Sequence, residues 1–284
     1  MSSAQKCGVD IADVLHEGGR FGFLLIHRLG GSPSDVGYVS DGLAKTGYTV
    51  SCPLLYGHGG SRALLAATTW RQWAQTVRDA LEDLSQRCDM IVIGGLGVGA
   101  LLALRAAAEA PGKVNGLALF APTFWPNGWA MPWYGTALRA IGSKRLANMF
   151  RFDERPPFGI KDDALRDEML ASLARDGRPS TDVLGRSGGA LLEVKWLARE
   201  VSSRLCEVRQ PCLIFHPRHD DRSALSVSQE LQKRLGGVVD LIVLDDSYHL
   251  VTQDRQRSLV LERVLEFAEA LPQLLEQGNS AWVD

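Results

Sequence analysis
The sequence predicts an α/β protein: a mostly parallel, doubly wound sheet with a helical insertion. Three observations carry this. Apolar runs of strand length alternate with helix-period segments from Phe21 to Pro122. The strand runs are almost continuously apolar, as in a parallel sheet covered on both faces. The alternation stops near Thr123 and resumes at Pro211. The expected organisation is a core of residues 1–122 and 207–284 around an insertion at 123–206.

"FGFLLIH" (Phe21–His27) reads as the first buried strand. "GGSPSD" is a turn, with Ser34 or Asp35 placed to cap a helix over Val36–Lys45. "YTVSCP" is the next strand, closed by Pro53, and "LLYGHGGSRALLAA" reads as a loop. Thr68 or Thr69 then caps a helix that carries Trp70, Trp73, Val77, Leu81 and Leu84 on one face. "DMIVIGGLGVGALLALRAAAEAP" supplies a strand, a glycine turn and a helix, and "VNGLALFAP" another strand. The insertion reads as helices over Trp133–Met149, Lys161–Arg175 and Gly189–Cys206, with no strand. "PCLIFHP" and "VVDLIVLD" continue the sheet around a helix near Ser226–Leu235, and an amphipathic helix runs from Arg255 to Leu275.

Composition narrows the function. With 284 residues, a formal charge of −2 and no basic run, nucleic-acid binding is not expected. The five cysteines are widely spaced without a CxxC pair, which argues against a disulfide framework or a zinc site. "MSSAQKCGVDIADVLHEGG" lacks the apolar core of a signal peptide, so a cytoplasmic location is expected. Met90–Ala108 is long enough to be weighed as a membrane span, with Arg105 its only charge. The glycines in its middle, with β-branched residues before and helix formers after, read instead as strand, turn and helix.

The glycine turn admits two chemical readings. Gly95, Gly97 and Ala100 fit the dinucleotide fingerprint G-x-G-x-x-[GA]. The next strand ends "LALFAPTF", without the carboxylate that would hold a ribose, which weakens that reading. The alternative is a nucleophile elbow, G-x-S-x-G, in the frame Gly95-Leu96-Gly97-Val98-Gly99. The central position is Gly97, and for Gly97 alone the plain reading is a tight turn without chemistry.

The remaining motifs favour the elbow. A strand ends in His27 and a glycine loop, "GHG" (Gly57–Gly59) follows the next strand, "RHDD" places Asp220 and Asp221 after a late strand, and "SYH" places His249 after the last. Gly97, Asp220 and His249 therefore fall in loops at the C-terminal ends of parallel strands, where open α/β sheets bind ligands.

From Phe21 to Leu275 the chain resembles the bacterial carboxylesterases and monoacylglycerol-lipase-like members of the α/β-hydrolase superfamily. The resemblance implies that His249 is the general base and Asp220, with Asp221 as alternate, its orienting acid. It implies an oxyanion hole from the N–H groups of Leu29 and Val98, and a helical cap over a pocket for a small apolar acyl-type substrate. No cofactor or metal is implied. Trp125, Trp129, Trp133 and Tyr134 are candidates to line that pocket, or equally to pack the cap. The family pattern has Ser where Gly97 stands and Gly where Arg28 stands. Loss of a triad serine costs on the order of a million-fold in kcat.

Three functions follow: an ester or thioester hydrolase with serine catalysis lost or impaired, a lyase or isomerase with His249 as base and Arg28 on an anionic substrate, and a pseudoenzyme that binds a ligand or partner. A fourth reading takes Gly97 as a substitution introduced into an active esterase. The sequence does not give the oligomeric state.

Overall fold
The computed structural model describes residues 12–130, 139–153, 155–175 and 185–280. Seven strands form one sheet: β1 (Val14–His16), β2 (Phe21–Ile26), β3 (Thr49–Cys52), β4 (Met90–Leu96), β5 (Gly116–Phe120), β8 (Cys212–Pro217) and β9 (Val239–Leu244). Their order is β1-β3-β2-β4-β5-β8-β9, parallel throughout except for β1, which pairs antiparallel with β3. β1 is short and half-exposed, and no apolar run marked it in the sequence.

Strand periodicity divides the core in two. Leu24 and Ile26 of β2 face one layer with Ile93 of β4 and Leu119 of β5, against α3 (Trp70–Ser85). Phe23 and Leu25 face the other with Val92 and Phe120, against α1 (Gly37–Lys45) and α9 (Arg257–Ser280). Trp70, Trp73, Val77, Leu81 and Leu84 are all buried, as the helical period requires. The backbone N–H of Thr69 donates to Gln72 Oε1 at 2.9 Å, which closes a capping box.

Several local expectations are corrected. Neither Ser34 nor Asp35 caps α1: a 3-10 turn over Pro33–Val36 precedes it, and the Asp35 carboxylate turns to Arg28 instead. The expected loop after β3 contains α2 (Arg62–Ala67), whose Leu64 N–H donates to Ser61 Oγ. Between β5 and β8 the chain is not purely helical. β6 (Arg151–Asp153) and β7 (Gly185–Ser187) form an antiparallel pair, too short to show a period. Of the helix expected over Trp133–Met149, α5 covers only Lys144–Ala147, and Trp133 and Tyr134 lie outside the described residues. The longer helices α6 (Asp163–Arg175) and α7 (Gly188–Ser203) stand close to where periodicity put them.

Met90–Ala108 is β4 followed by α4 (Val98–Glu109), and no helix among the described residues is long and apolar enough to cross a membrane. α7 packs against α2, α3, α4 and α5, with Leu191, Leu192 and Val194 buried in the core layer that also holds α3. Its buried Glu193 accepts the Trp70 N–H at 3.0 Å and an ion pair from Lys144 at 2.9 Å, which ties this segment to the N-terminus of α3.

Candidate active site
The turn between β4 and α4 explains its glycines by geometry. Gly97 has φ 59 and ψ −110, a conformation L side chains rarely adopt. A Cβ on Gly95 would lie 2.2 Å from Gly99 C, and one on Gly99 would lie 2.4 Å from the Ile26 carbonyl oxygen, so neither site admits a side chain. The Gly97 N–H donates to Phe120 O at 2.9 Å, and Thr123 N–H donates to Gly97 O at 3.2 Å. Both bonds lock the turn to the end of β5, where Ala121 has φ 44. A non-glycine residue there costs about 1–3 kcal/mol, so strain is stored beside Gly97.

The loop after β8 and the loop after β9 meet at this turn. His249 Nδ1 lies 2.9 Å from Asp220 Oδ2 and 3.1 Å from Oδ1. Nδ1 therefore carries the proton in the neutral ring, and Nε2 carries the lone pair. Nε2 lies 3.1 Å from the point that a Cβ on Gly97 would occupy. Asp220 Oδ1 also accepts the N–H groups of Arg222 at 2.7 Å and Ser223 at 3.0 Å. Burial raises the Asp220 carboxyl, but the charge and hydrogen bond of His249, the nearby His216 and the Arg222 N–H outweigh it and hold it below the usual carboxylate range.

Asp221, the alternate acid, accepts the His249 backbone N–H at 3.3 Å and pairs with Arg222 at 3.7 Å. It holds the loop and leaves the ring to Asp220. Asp245 and Asp246 pair with surface cations, Arg218 and Lys161.

On the other side, β2 ends in a buried His27. Its Nδ1 donates to Arg28 O at 2.8 Å, and its Nε2 accepts the Leu55 N–H at 3.1 Å. Burial pushes its pKa down to about 4, so the ring is a neutral brace for the loop that carries Leu29. His58, edge-on to His27 and to Trp73, is pushed down to about 3 by burial, with His27 adding to the effect. Val98 stands at the first position of α4, where a helix leaves its N–H groups without intrahelical acceptors. Leu29 and Val98 both border the cavity in front of Gly97 and His249.

Arg28 is 5% exposed, and its Nε lies 3.4 Å from Asp35 Oδ2. Gly31 makes this approach feasible, because a Cβ there would stand 1.7 Å from that same oxygen.

The two tryptophans are placed elsewhere. Trp125 packs in the core under the Arg139 guanidinium, and Trp129 is 59% exposed, bonded to His219 O and edge-on to Tyr248. Neither borders the described cavity, whose roof is Leu191 and Val194 of α7. Its free volume is about 330 Å3, but a water molecule's centre can reach only about 10 Å3 of it. That is roughly the space of one water.

Four residues here had no legible role in the sequence. Thr123 and Arg222 border the cavity. His216, on β8, lies 3.6 Å from Asp220 with its ring fixed by Ser228 and Ser223. Asp254 is fully buried and accepts the N–H groups of Tyr248, Lys161, Asp162 and Arg255. Its position five residues after His249, in "HLVTQD", was the only available signal.

Comparison with known proteins agrees with the fold. The family model described as serine aminopeptidase, S33 matches residues 21–256. The thermostable monoacylglycerol lipase of Bacillus sp. (strain H-257) is 27% identical over 259 residues, covering 88% of this chain and 91% of its own. The carboxylesterase of Bacillus subtilis (strain 168) is 24% identical over 260 residues, 90% of this chain and 95% of that one. Among solved structures, a metagenome-derived lipolytic enzyme from the LipS and LipT work superposes with a TM-score of 0.76 at 25% identity, over 93% of this chain and 99% of that one. The chain belongs to the serine aminopeptidase S33 family and has the α/β-hydrolase fold.

Proposed function
We propose that this protein hydrolyses a carboxylic ester or thioester by direct general-base attack of water, slowly and without an acyl-enzyme. The observation that carries this is the position of His249 Nε2, 3.1 Å from the missing Cβ of Gly97, beside space for about one water molecule.

In this reading a water stands in the volume a hydroxymethyl would fill and bonds to Nε2. As its oxygen attacks the acyl carbon, its proton passes to Nε2. Asp220 orients the ring and stabilises the imidazolium. The carbonyl oxygen gains charge against the N–H groups of Leu29 and Val98. Collapse returns the proton to the departing alkoxide or thiolate, leaving acid and alcohol or thiol. The segment between β5 and β8 acts as the cap, with Leu191 and Val194 closing the site against bulk water.

The relatives' names, a monoacylglycerol lipase and a carboxylesterase, support an ester as substrate. A binding role without chemistry draws support from the narrow cavity. The lyase reading, with Arg28 as anion clamp, is weakened by the Arg28–Asp35 pair.

A panel of p-nitrophenyl esters and acyl thioesters tests the proposal. Turnover above the uncatalysed rate, lost in His249→Ala, is expected. Equal rates for the two proteins would show that the site does no base chemistry.

A further inference from the structure
His216 is a buried titratable ring that the proposed reaction does not use. It sits on β8, next to the core residue Phe215, and its side chain is wholly shielded from solvent. A histidine there gives up hydration that an apolar residue would not. Both of its nitrogens are nonetheless satisfied. Nε2 lies 2.9 Å from Ser223 O, and Nδ1 lies 2.8 Å from Ser228 Oγ on α8 (Ser226–Arg234). A carbonyl oxygen only accepts, so Nε2 carries a proton. Burial is the main cause that holds the ring's pKa below its ordinary value, against the pull of Asp220 and the bond to Ser223. The ring is thus neutral at pH 7, and Nδ1 accepts the Ser228 hydroxyl.

The same Nε2–H stands 3.6 Å from Asp220 Oδ2. The two oxygens of that carboxylate are supported differently. Oδ1 accepts the backbone N–H groups of Arg222 and Ser223, whereas Oδ2 accepts His249 Nδ1–H and also faces His216. Ser223 joins the two histidine neighbourhoods. Its N–H donates to Asp220 Oδ1, its carbonyl accepts His216 Nε2–H, and its hydroxyl donates to Pro122 O at 2.8 Å. Pro122 lies between Ala121, whose N–H donates to Phe215 O, and Thr123, whose N–H donates to Gly97 O. One ring at the end of β8 therefore braces the loop that carries Asp220, and that loop is tied to the Gly97 turn.

We propose that His216 is a positioning residue: its Nε2–H clamps the Ser223 peptide and polarises Asp220, which keeps the carboxylate in register with His249 Nδ1. This rests on the reading of Asp220 as the acid that orients His249. Ser228, His216, Asp220 and His249 form one buried chain of polar groups. In a low dielectric each bond of such a chain is stronger than in water, and the cost of leaving one unmade is higher.

Nitrogen-15 NMR of the intact protein, with labelled histidine, reads the arrangement without requiring turnover. Wild-type His216 is expected as the neutral Nε2–H tautomer at pH 7. The Nδ1–H tautomer, or an imidazolium, overturns the proposal whatever the variants do. The second readout is the rate at which the Nδ1–H proton of His249 exchanges with water. His216→Gln carries its amide N–H to the place of Nε2 and should keep that rate near the wild-type value. His216→Asn reaches only the place of Nδ1, beside Ser228, and leaves Ser223 O without its donor. Exchange should then be about tenfold faster, the scale of one lost hydrogen bond.

A ring that only fills the core would give the same His249 exchange in both variants, and that result overturns the proposal. Turnover of p-nitrophenyl butyrate should follow the exchange rate, with kcat lowered by His216→Asn and kept by His216→Gln. Different exchange in the two variants without turnover in any protein defeats the hydrolase reading alone. Turnover with equal exchange defeats this inference alone.

Discussion
Gly97→Ser is the perturbation that tests the site most directly. The new Cβ would stand 3.1 Å from His249 Nε2 and 3.7 Å from Arg28 Cβ. The ring must therefore yield by a few tenths of an ångström, while Arg28 makes ordinary contact. A side chain at φ 59 adds strain of about 1–3 kcal/mol. The melting temperature should fall by roughly 2–12 °C, at about 2–4 °C per kcal/mol for a large domain. The hydroxyl would point into the space facing Nε2. Restoring a nucleophile is worth about a million-fold in kcat, and misplacement on the order of 1 Å costs about a hundredfold. A gain of about ten-thousand-fold on p-nitrophenyl butyrate is the net expectation. Gly97→Ala carries the same strain without the hydroxyl, so it should lose stability and gain no rate. Stopped assays alongside labelling of Ser by a fluorophosphonate read both. If Gly97→Ser folds but neither labels nor accelerates, the argument that the turn, Asp220 and His249 keep working geometry is refuted. Rescue only after adding Arg28→Gly would show that Arg28 blocks the hydroxyl.

Further predictions concern the supports of the site. Asp220→Asn, which weakens the hold on Nδ1–H of His249, should lower any His249-dependent turnover by about a thousand-fold or more, with the far-UV circular dichroism unchanged. Asp254→Ala should free the four N–H groups it binds and cost about 3 kcal/mol or more, read by urea unfolding. Glu193→Ala leaves the Trp70 N–H without its acceptor and Lys144 without its partner. A loss of about 2 kcal/mol is expected, and unchanged stability would show that the tie from α7 to α3 is idle. His27 and His58 are held neutral, with pKa values lowered to about 4 and about 3. The unfolded chain takes up these protons first as pH falls below about 6.5, so stability is full above that value and is lost towards pH 4 and then pH 3. The His27 share is on the order of 3 kcal/mol, and His27→Gln should flatten that slope in chemical unfolding at successive pH values.

The sheet was legible because burial on both faces leaves a run of apolar residues in sequence, as in β2, β4, β5 and β8. β1 was not, because an edge strand needs only one partner and keeps polar residues such as His16. The turn at Gly97 was legible because its neighbours, Gly95 and Gly99, are forced by close backbone approach, and that constraint is local. β6 and β7 were missed because three residues show no period, and their pairing joins segments far apart in the chain.

By itself the sequence determined the alternation of strand and helix, the missing side chain at Gly97, and the order of Asp220 and His249 after it. These are local or ordinal properties. Tertiary structure decided which carboxylate meets the ring, because Asp220 and Asp221 are neighbours in sequence and only the backbone path after β8 points one at Nδ1. It also decided what Arg28 meets. Arg28 read alone is a cation in an oxyanion loop. Packed against Asp35, it becomes half of a buried ion pair at the edge of the cavity. Charge acts through space and falls off with distance and burial, so its sign at a site follows from which side chains the fold brings to the wall and which it keeps behind.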